Sequence, residues 1–318
     1  MDLLIRFVAA AVAAGTPLLY GTLGEIMTEK AGHLNLGVEG MMSVGACAGF
    51  LAGYYTDSFA LALLAAFAAA AASALIYGVL TVTFMANQNV TGLTLTIFGI
   101  GLSNFIGILA LGRSESGTLK LPEGITAQMR GAGLPGLKDI PVAGQLLFSY
   151  NAFVYIGAVI AVLLFIYFSK TKSGLNLQAV GHNPGAADAA GIPVTRYKYI
   201  SILIGGGICG IGGAYCAMII NGGVWVSNNV GGLGWIAVAL VIFANWKPLN
   251  AIGGSLVFGA LRILKFYVPK SVLPLPNAFY DMMPFLITAL ILVAASMRKK
   301  QNLSLPGNLG NHYFREER

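Results

Sequence analysis

The stretch "KTKSGLNLQAVGHNPGAADAAGIPVTRYK", Lys170–Lys198, is a polar island between two long apolar runs and carries its own helix punctuation. Asn183 suits an N-cap, Pro184 suits the first helical position, and the residues up to Ala190 are mostly alanine. Gly191 then offers a left-handed stop, with Pro193 just beyond it. A helix of about two turns does not persist in water unaided, even when rich in alanine. Either the stretch is a solvated connector with one frayed turn, or something holds the helix in place. The complete start and stop chemistry favours a docking helix, and small side chains at Ala186, Ala187 and Ala190 would let a partner approach closely.

The flanking runs set the class of the protein. Hydrophobic residues make up 57% of 318 positions and charged residues only 10%, with a mean hydropathy of +0.76. Soluble domains carry about a quarter of their residues as charges, so the composition predicts an all-α polytopic integral membrane protein. The net charge of +7 comes from basic residues in loops and tails beside apolar spans, which is the distribution that membrane topology selects and not a nucleic-acid footprint. Cys47, Cys209 and Cys216 all fall inside apolar runs without metal-ligand spacing, so they read as small packing residues. Arg6 and Ala11-Val12-Ala13 imitate a signal peptide and its cleavage site. The apolar run continues through Tyr20 to Met27, however, longer than a signal core, and is expected to stay as a first span.

With about 20 residues needed per crossing, the sequence divides into nine apolar segments: 3–27, 36–54, 59–85, 91–111, 151–169, 199–220, 232–246, 249–268 and 281–297. The pair 232–246 and 249–268 also reads as a broken hairpin. Lys170, Lys172, Arg196 and Lys198 face only Asp188 in the loop 170–198, and Arg298-Lys299-Lys300 opens the tail 298–318. Both are expected in the cytoplasm, with 112–150 outside, the N-terminus outside and the link Glu29–His33 inside. Glycines at four-residue spacing, Gly45, Gly49 and Gly53 and again Gly206 and Gly210, predict close helix packing within the chain.

A second polar stretch, "EKAGHLNLGVEGMM" over Glu29–Met42, opens the second apolar segment. An ionisable group inside a span is costly, about 2.5–3.5 kcal/mol on an insertion scale. Glycines at this density favour irregular backbone, which membranes tolerate only where it is buried or lines a cavity. Asn35 and Glu39 would share one face if that turn were helical, and either line a path or sit at a helix end. His33 reads as a solvated interfacial residue. Asn104, Trp225, Asn228, Asn229 and Trp235 could line a route for a heterocyclic solute, since aromatic faces stack on bases and amides read their edges. Trp225 and Trp246 read better as interfacial anchors, Trp235 stays open between the two roles, and snorkelling accounts for Arg262 and Lys265. The sequence has no phosphate-binding Gly-x-x-x-x-Gly-Lys-Ser/Thr loop and no Gly-x-Ser-x-Gly elbow. Its histidines, His33, His182 and His312, are too scattered for a zinc-protease motif. No catalytic residue, metal or cofactor is therefore assigned to this chain.

The order Gly181-x-Asn183-x-x-Ala186-Ala187-x-x-Ala190-Gly191-Ile192 resembles the cytoplasmic coupling loop of ABC importer permeases, in the branch serving branched-chain amino acids, ribose-type sugars and nucleosides. Asn35-Leu36-Gly37-Val38-Glu39-Gly40 resembles a signature of that branch. So do Asn87–Gly92, Gly234–Leu240, Asn245–Pro248 and Tyr313–Arg318, so that the likeness covers almost the whole chain and is greatest to the nucleoside (guanosine or purine) members. The resemblance implies a single permease domain over 1–318, a type II importer-like bundle of about nine transmembrane helices, in the bacterial plasma membrane. It implies that Gly181, Asn183, Pro184, Ala186, Ala187, Ala190 and Gly191 couple to a separate ATPase carrying two nucleotide-binding domains, where ATP and magnesium would bind. It also places Asn35, Glu39, Asn104 and Trp235 along the translocation path. A second homologous permease and an extracytoplasmic substrate-binding lipoprotein complete the implied assembly, beside the membrane lipids. Two alternatives to nucleoside import stand: a sugar permease of the same family, and an ion-coupled secondary transporter, for which Glu39 is the one acidic residue with a claim to hold the ion.

Overall fold

Long, predominantly apolar runs become helices whose backbone groups are satisfied internally, the condition for crossing lipid. A computed structural model describes residues 2–114, 116–130, 144, 146, 148–267, 276–297 and 305–314. Each of the nine apolar segments coincides with a helix. These are α1 (Asp2–Glu29), α2 (Val38–Thr56), α3 (Phe59–Gly78, continued by a π-helical turn Val79–Thr83), α4 (Gln88–Gly112), α6 (Ala152–Lys170), α9 (Val194–Tyr215, continued by a π-helical turn Cys216–Ile220), α10 (Leu233–Phe243), α11 (Pro248–Tyr267) and α12 (Asn277–Met297). Between them lie α5 (Glu123–Arg130), α7 (Lys172–His182) and α8 (Pro184–Ala189).

Among the described residues, six helices are long and apolar enough to cross a membrane: α1, α3, α4, α6, α9 and α11. The segment 232–246 corrects the nine-span expectation. Its helix α10 has 11 residues, about 16 Å at 1.5 Å per residue, roughly half of a bilayer core of about 30 Å. The broken-hairpin alternative describes it better. Asn245 and Trp246 adopt positive φ, 52° and 53°, and this turn joins the half-length α10 to the full-length α11.

Helix α9 is the centre of the bundle: 83% of its span is buried, against 28% for α4. It packs on α1, α2 and α3. The predicted small-residue contacts are made inside the chain. Gly45 of α2 meets the backbone of Gly210 of α9, where any Cβ would collide, and Gly206 and Gly210 press on Ala74 and Ala70 of α3. Large apolar side chains such as Leu64, Ile97, Phe105 and Leu163 point outward instead, as lipid permits. The three cysteines are free and buried.

The two ends of the bundle differ. At one end the link after α1, the loop 170–198 and tail residues 305–314 meet through backbone hydrogen bonds, Asn308 N–H to Gly181 O (3.0 Å) and Gly310 N–H to Gly32 O (3.1 Å) among them, and the start of α4 joins them through the Gln88 side chain. At the other end Asp57 accepts the Ile125 N–H at 2.6 Å, fastening α5. There too, the segment around Lys120 pairs antiparallel with Val224. Expectations that rest on Arg298–Lys300 and on 131–143 lie outside the described residues.

Candidate functional site

The polar opening of the second span folds into buried, irregular backbone before α2 begins at Val38. Gly40 lies against Leu95 and Thr96, eight residues past the start of α4 at the latter, or about 12 Å along its axis. Buried backbone without helical partners must find others, and five backbone groups of Leu34–Gly37 find side chains. Gln88 Oε1 accepts the Leu34 N–H (2.8 Å), and Tyr77 donates its hydroxyl to Leu34 O (2.8 Å). Glu25 Oε1 accepts the Asn35 N–H (2.9 Å), and Thr96 donates to Leu36 O (2.9 Å). Asn35 Oδ1 accepts the Gly37 N–H (2.8 Å), a local turn that launches α2.

Asn35 and Glu39 therefore do not share a helix face, because α2 begins only at Val38. Both are buried, at 1% and 4% exposure. Glu39 instead reaches across to α10. Its Oε1 accepts the Gly232 N–H at 2.7 Å and its Oε2 accepts the Gly234 N–H at 2.6 Å. A carboxylate at the first N–H groups of a helix satisfies orphan donors and complements the positive end of its dipole. Glu39 is thus the anchor that lets a half-length helix start inside the bundle.

The chain reaches that point through 221–232, which descends beside α4. The Trp225 ring rests on Gly107. Further along α4, Asn104 makes a two-way amide clasp with Asn228: Nδ2 donates to Asn228 Oδ1 (2.8 Å) and Oδ1 accepts the Asn228 N–H (3.0 Å). Asn221 likewise donates to Asn229 Oδ1 at 2.8 Å. Trp235 follows on α10 and stays half-buried, as does Asn104. Of the four residues expected along the path, Asn104 is clasped to Asn228, Trp235 lies half-buried on α10, and Asn35 and Glu39 are buried with their side-chain oxygens bonded to backbone N–H groups.

Trp225 and Trp246 are not interfacial anchors. Trp225 is 6% exposed and stacks obliquely on Phe50 at 5.4 Å, and the buried Trp246 donates its indole N–H to Glu29. Nor is His33 solvated: it is buried edge-on to Tyr77. Glu39 also has company as an intramembrane acid, since Glu25 and Glu29 are buried one turn apart on α1. Glu25, Tyr77 and Thr96 fall in none of the motifs, and Gln88 falls within Asn87–Gly92 without its bonding role being readable from it. The one sequence signal for Glu25 was a carboxylate inside an apolar run.

The loop 170–198 holds two helices. The short helix expected after Asn183 is α8, with Asn183 as N-cap accepting the Ala186 N–H at 3.0 Å, Pro184 at its start and Gly191 at φ +80° beyond its end. Before it stands α7, for which no helix was expected; Thr171 caps it by accepting the Gly174 N–H at 3.0 Å. Gly181 packs on the backbone of Lys30 and Gly32, and Pro184 and Ala187 are buried. Ala187 lies in a small cluster with Val180 and Val194, against Tyr313. Asn183, Ala186, Ala190 and Gly191 are exposed. Of the seven expected coupling residues, only these four are open to a partner.

A family model described as branched-chain amino acid transport system / permease component matches residues 7–294. The chain belongs to this permease family. It is 34% identical over 307 residues to the guanosine ABC transporter permease protein NupQ of Bacillus subtilis, covering 92% of each chain. It is 30% identical over 295 residues to the nucleoside ABC transporter permease protein NupC of Lactococcus lactis, covering 90% of each. A Haloferax volcanii protein provisionally named glucose ABC transporter permease protein TsgC13 is 33% identical over 326 residues, 96% of this chain and 97% of the relative. The permease is accordingly a multi-pass plasma-membrane subunit of an ABC transporter, not itself an enzyme. That membership sets aside the ion-coupled secondary transporter. Glu39 agrees with this, since its carboxylate is committed to two backbone N–H groups.

Proposed function

We propose that this permease imports nucleosides. The observation that carries the reading is the identity to the guanosine and nucleoside permeases over nine-tenths of both chains. The clasped amides of Asn104 and Asn228 and the half-buried Trp235 support it, because amides can exchange their mutual hydrogen bonds for a base edge and an indole face can stack on a heterocycle. The end of the bundle holding α8 faces the cytoplasm, where α8 docks on an ATPase with two nucleotide-binding domains that holds ATP and magnesium. A homologous permease closes the path from the side, and an extracytoplasmic binding lipoprotein delivers the solute. Alternating access then follows from rigid-body movement of the spans.

Sugar import is the second reading, favoured by the 33% identity to the protein named for glucose, since the same amides can bind hydroxyl groups. The deciding experiment reconstitutes the complete transporter in liposomes and measures ATP-dependent uptake of labelled guanosine and labelled glucose. Guanosine uptake competed by other nucleosides, with no glucose uptake, is expected. Glucose uptake alone would replace the nucleoside reading.

A further inference from the structure

The tail residues 305–314 lie across the coupling loop and fasten it to the bundle. Gly307 donates its N–H to His182 Nδ1 at 3.2 Å, and Asn308 donates to Gly181 O at 3.0 Å, both at the end of α7. Gly310 then donates to Gly32 O at 3.1 Å. The Asn311 carbonyl lies 3.5 Å from Gln88 Nε2, on the same amide whose oxygen holds the Leu34 N–H. Finally the tail returns to α8: Tyr313 donates its hydroxyl to Asp188 Oδ2 at 2.8 Å while its ring packs on the cluster of Ala187, Val180 and Val194.

The faces of α8 make this arrangement mechanical. Ala186, Ala189 and Ala190 are exposed and Ala187 is buried, so a partner pushes on one side and the chain receives the push on the other. A six-residue helix is too short to hold its own position. Its receiving side rests on α7, the start of α9 and the tail. Among the described residues the tail goes on to touch both Gly32 and Gln88, which support the irregular backbone leading to Glu39 and the start of α10.

We propose that Leu305–Phe314 is a transmission strap, with Tyr313 and Asp188 as positioning residues that hold α8 in register so that its displacement reaches the Leu34–Glu39 segment. This rests on the reading of α8 as the ATPase-docking helix. Spatial continuity alone does not make a coupling device; its members must be energetically coupled, which a double-mutant cycle reads.

The test uses the complete reconstituted transporter and measures solute imported per ATP hydrolysed, together with co-purification of the ATPase. Tyr313→Phe keeps the ring and removes the hydroxyl, Asp188→Ala removes the acceptor, and Asp188→Asn retains one. Tyr313→Phe and Asp188→Ala are each expected to lower the import-to-hydrolysis ratio by about fivefold, the scale of one ordinary hydrogen bond. The double variant should lose no more than either single one, and Asp188→Asn should stay near wild type, all with the ATPase still co-purifying. A wild-type ratio for Tyr313→Phe, losses that multiply in the double variant, or an Asp188→Asn as impaired as Asp188→Ala would overturn the strap. Loss of co-purification in Tyr313→Phe would also overturn it, by making the tail part of the docking surface. Ala186→Trp separates the two readings. If it assembles and couples as wild type, docking on α8 itself fails; if it blocks assembly while Tyr313→Phe is silent, only the strap fails.

Discussion

Two polar stretches interrupt the apolar helices of this permease, and they satisfy their backbone in opposite ways. Inside the bundle, Leu34–Gly37 and the start of α10 draw partners from Glu25, Tyr77, Gln88, Thr96 and Glu39, side chains far apart in sequence. At the bundle's end, α7 and α8 are capped by Thr171 and Asn183, each bonding three residues ahead. The first setting is buried and the second is open to water, so a missing partner costs more inside. Buried irregular backbone therefore needs the whole fold to be in place, whereas the surface helix needs only its own neighbours to start.

That contrast can be broken most decisively at Glu39. Glu39→Ala strands the Gly232 and Gly234 N–H groups, at about 1–3 kcal/mol each, and should lower stability by about 3 kcal/mol or more. Asn183→Ala removes a surface cap, worth about 1 kcal/mol. Thermal unfolding of the purified complex compares the two, and equal losses would end the distinction.

A smaller effect separates the two faces of α8. Ala187→Trp drives a ring into the Val180–Val194 cluster, an overpacking that costs about 1–3 kcal/mol. Ala186→Trp points outward and should leave the melting curve of the permease unchanged while hindering its ATPase. If both melt alike, the inward and outward assignment of these alanines is wrong.

The smallest effect is a pH dependence confined to the surface region. His182 Nδ1 accepts the Gly307 N–H, and burial, with the Lys30 charge beyond it, holds its pKa below the ordinary 6.5. A base whose folded pKa is depressed stabilises the fold above its unfolded pKa, and that stability is lost as pH falls through the folded value. Amide exchange around Gly307, corrected for its intrinsic pH dependence, should quicken as the pH drops below about 6.5, and His182→Gln should remove the step. Exchange independent of pH would show that the contact carries no stability.

Much of this was legible in the chain. Hydrophobic runs located the helices, because crossing lipid demands length and apolarity that leave a mark in every residue of a span. The cap, proline and glycine around Asn183–Gly191 located α8, because helix ends are written locally. Glycines such as Gly45 and Gly210 announced close packing, though not their partners.

What the tertiary structure alone decided was direction and partnership. Trp225 and Trp246 fit an interface by position, yet fold inward, where Phe50 and Glu29 receive them. Asn35 and Glu39 fit one helix face by spacing, yet the helix starts between them. The half-length α10 fit a span by hydropathy, yet it begins at a carboxylate supplied from almost two hundred residues earlier. Composition and local spacing fix which segments leave water and where helices start. Which buried donor meets which acceptor depends on contacts between residues distant in sequence, and no local pattern records them.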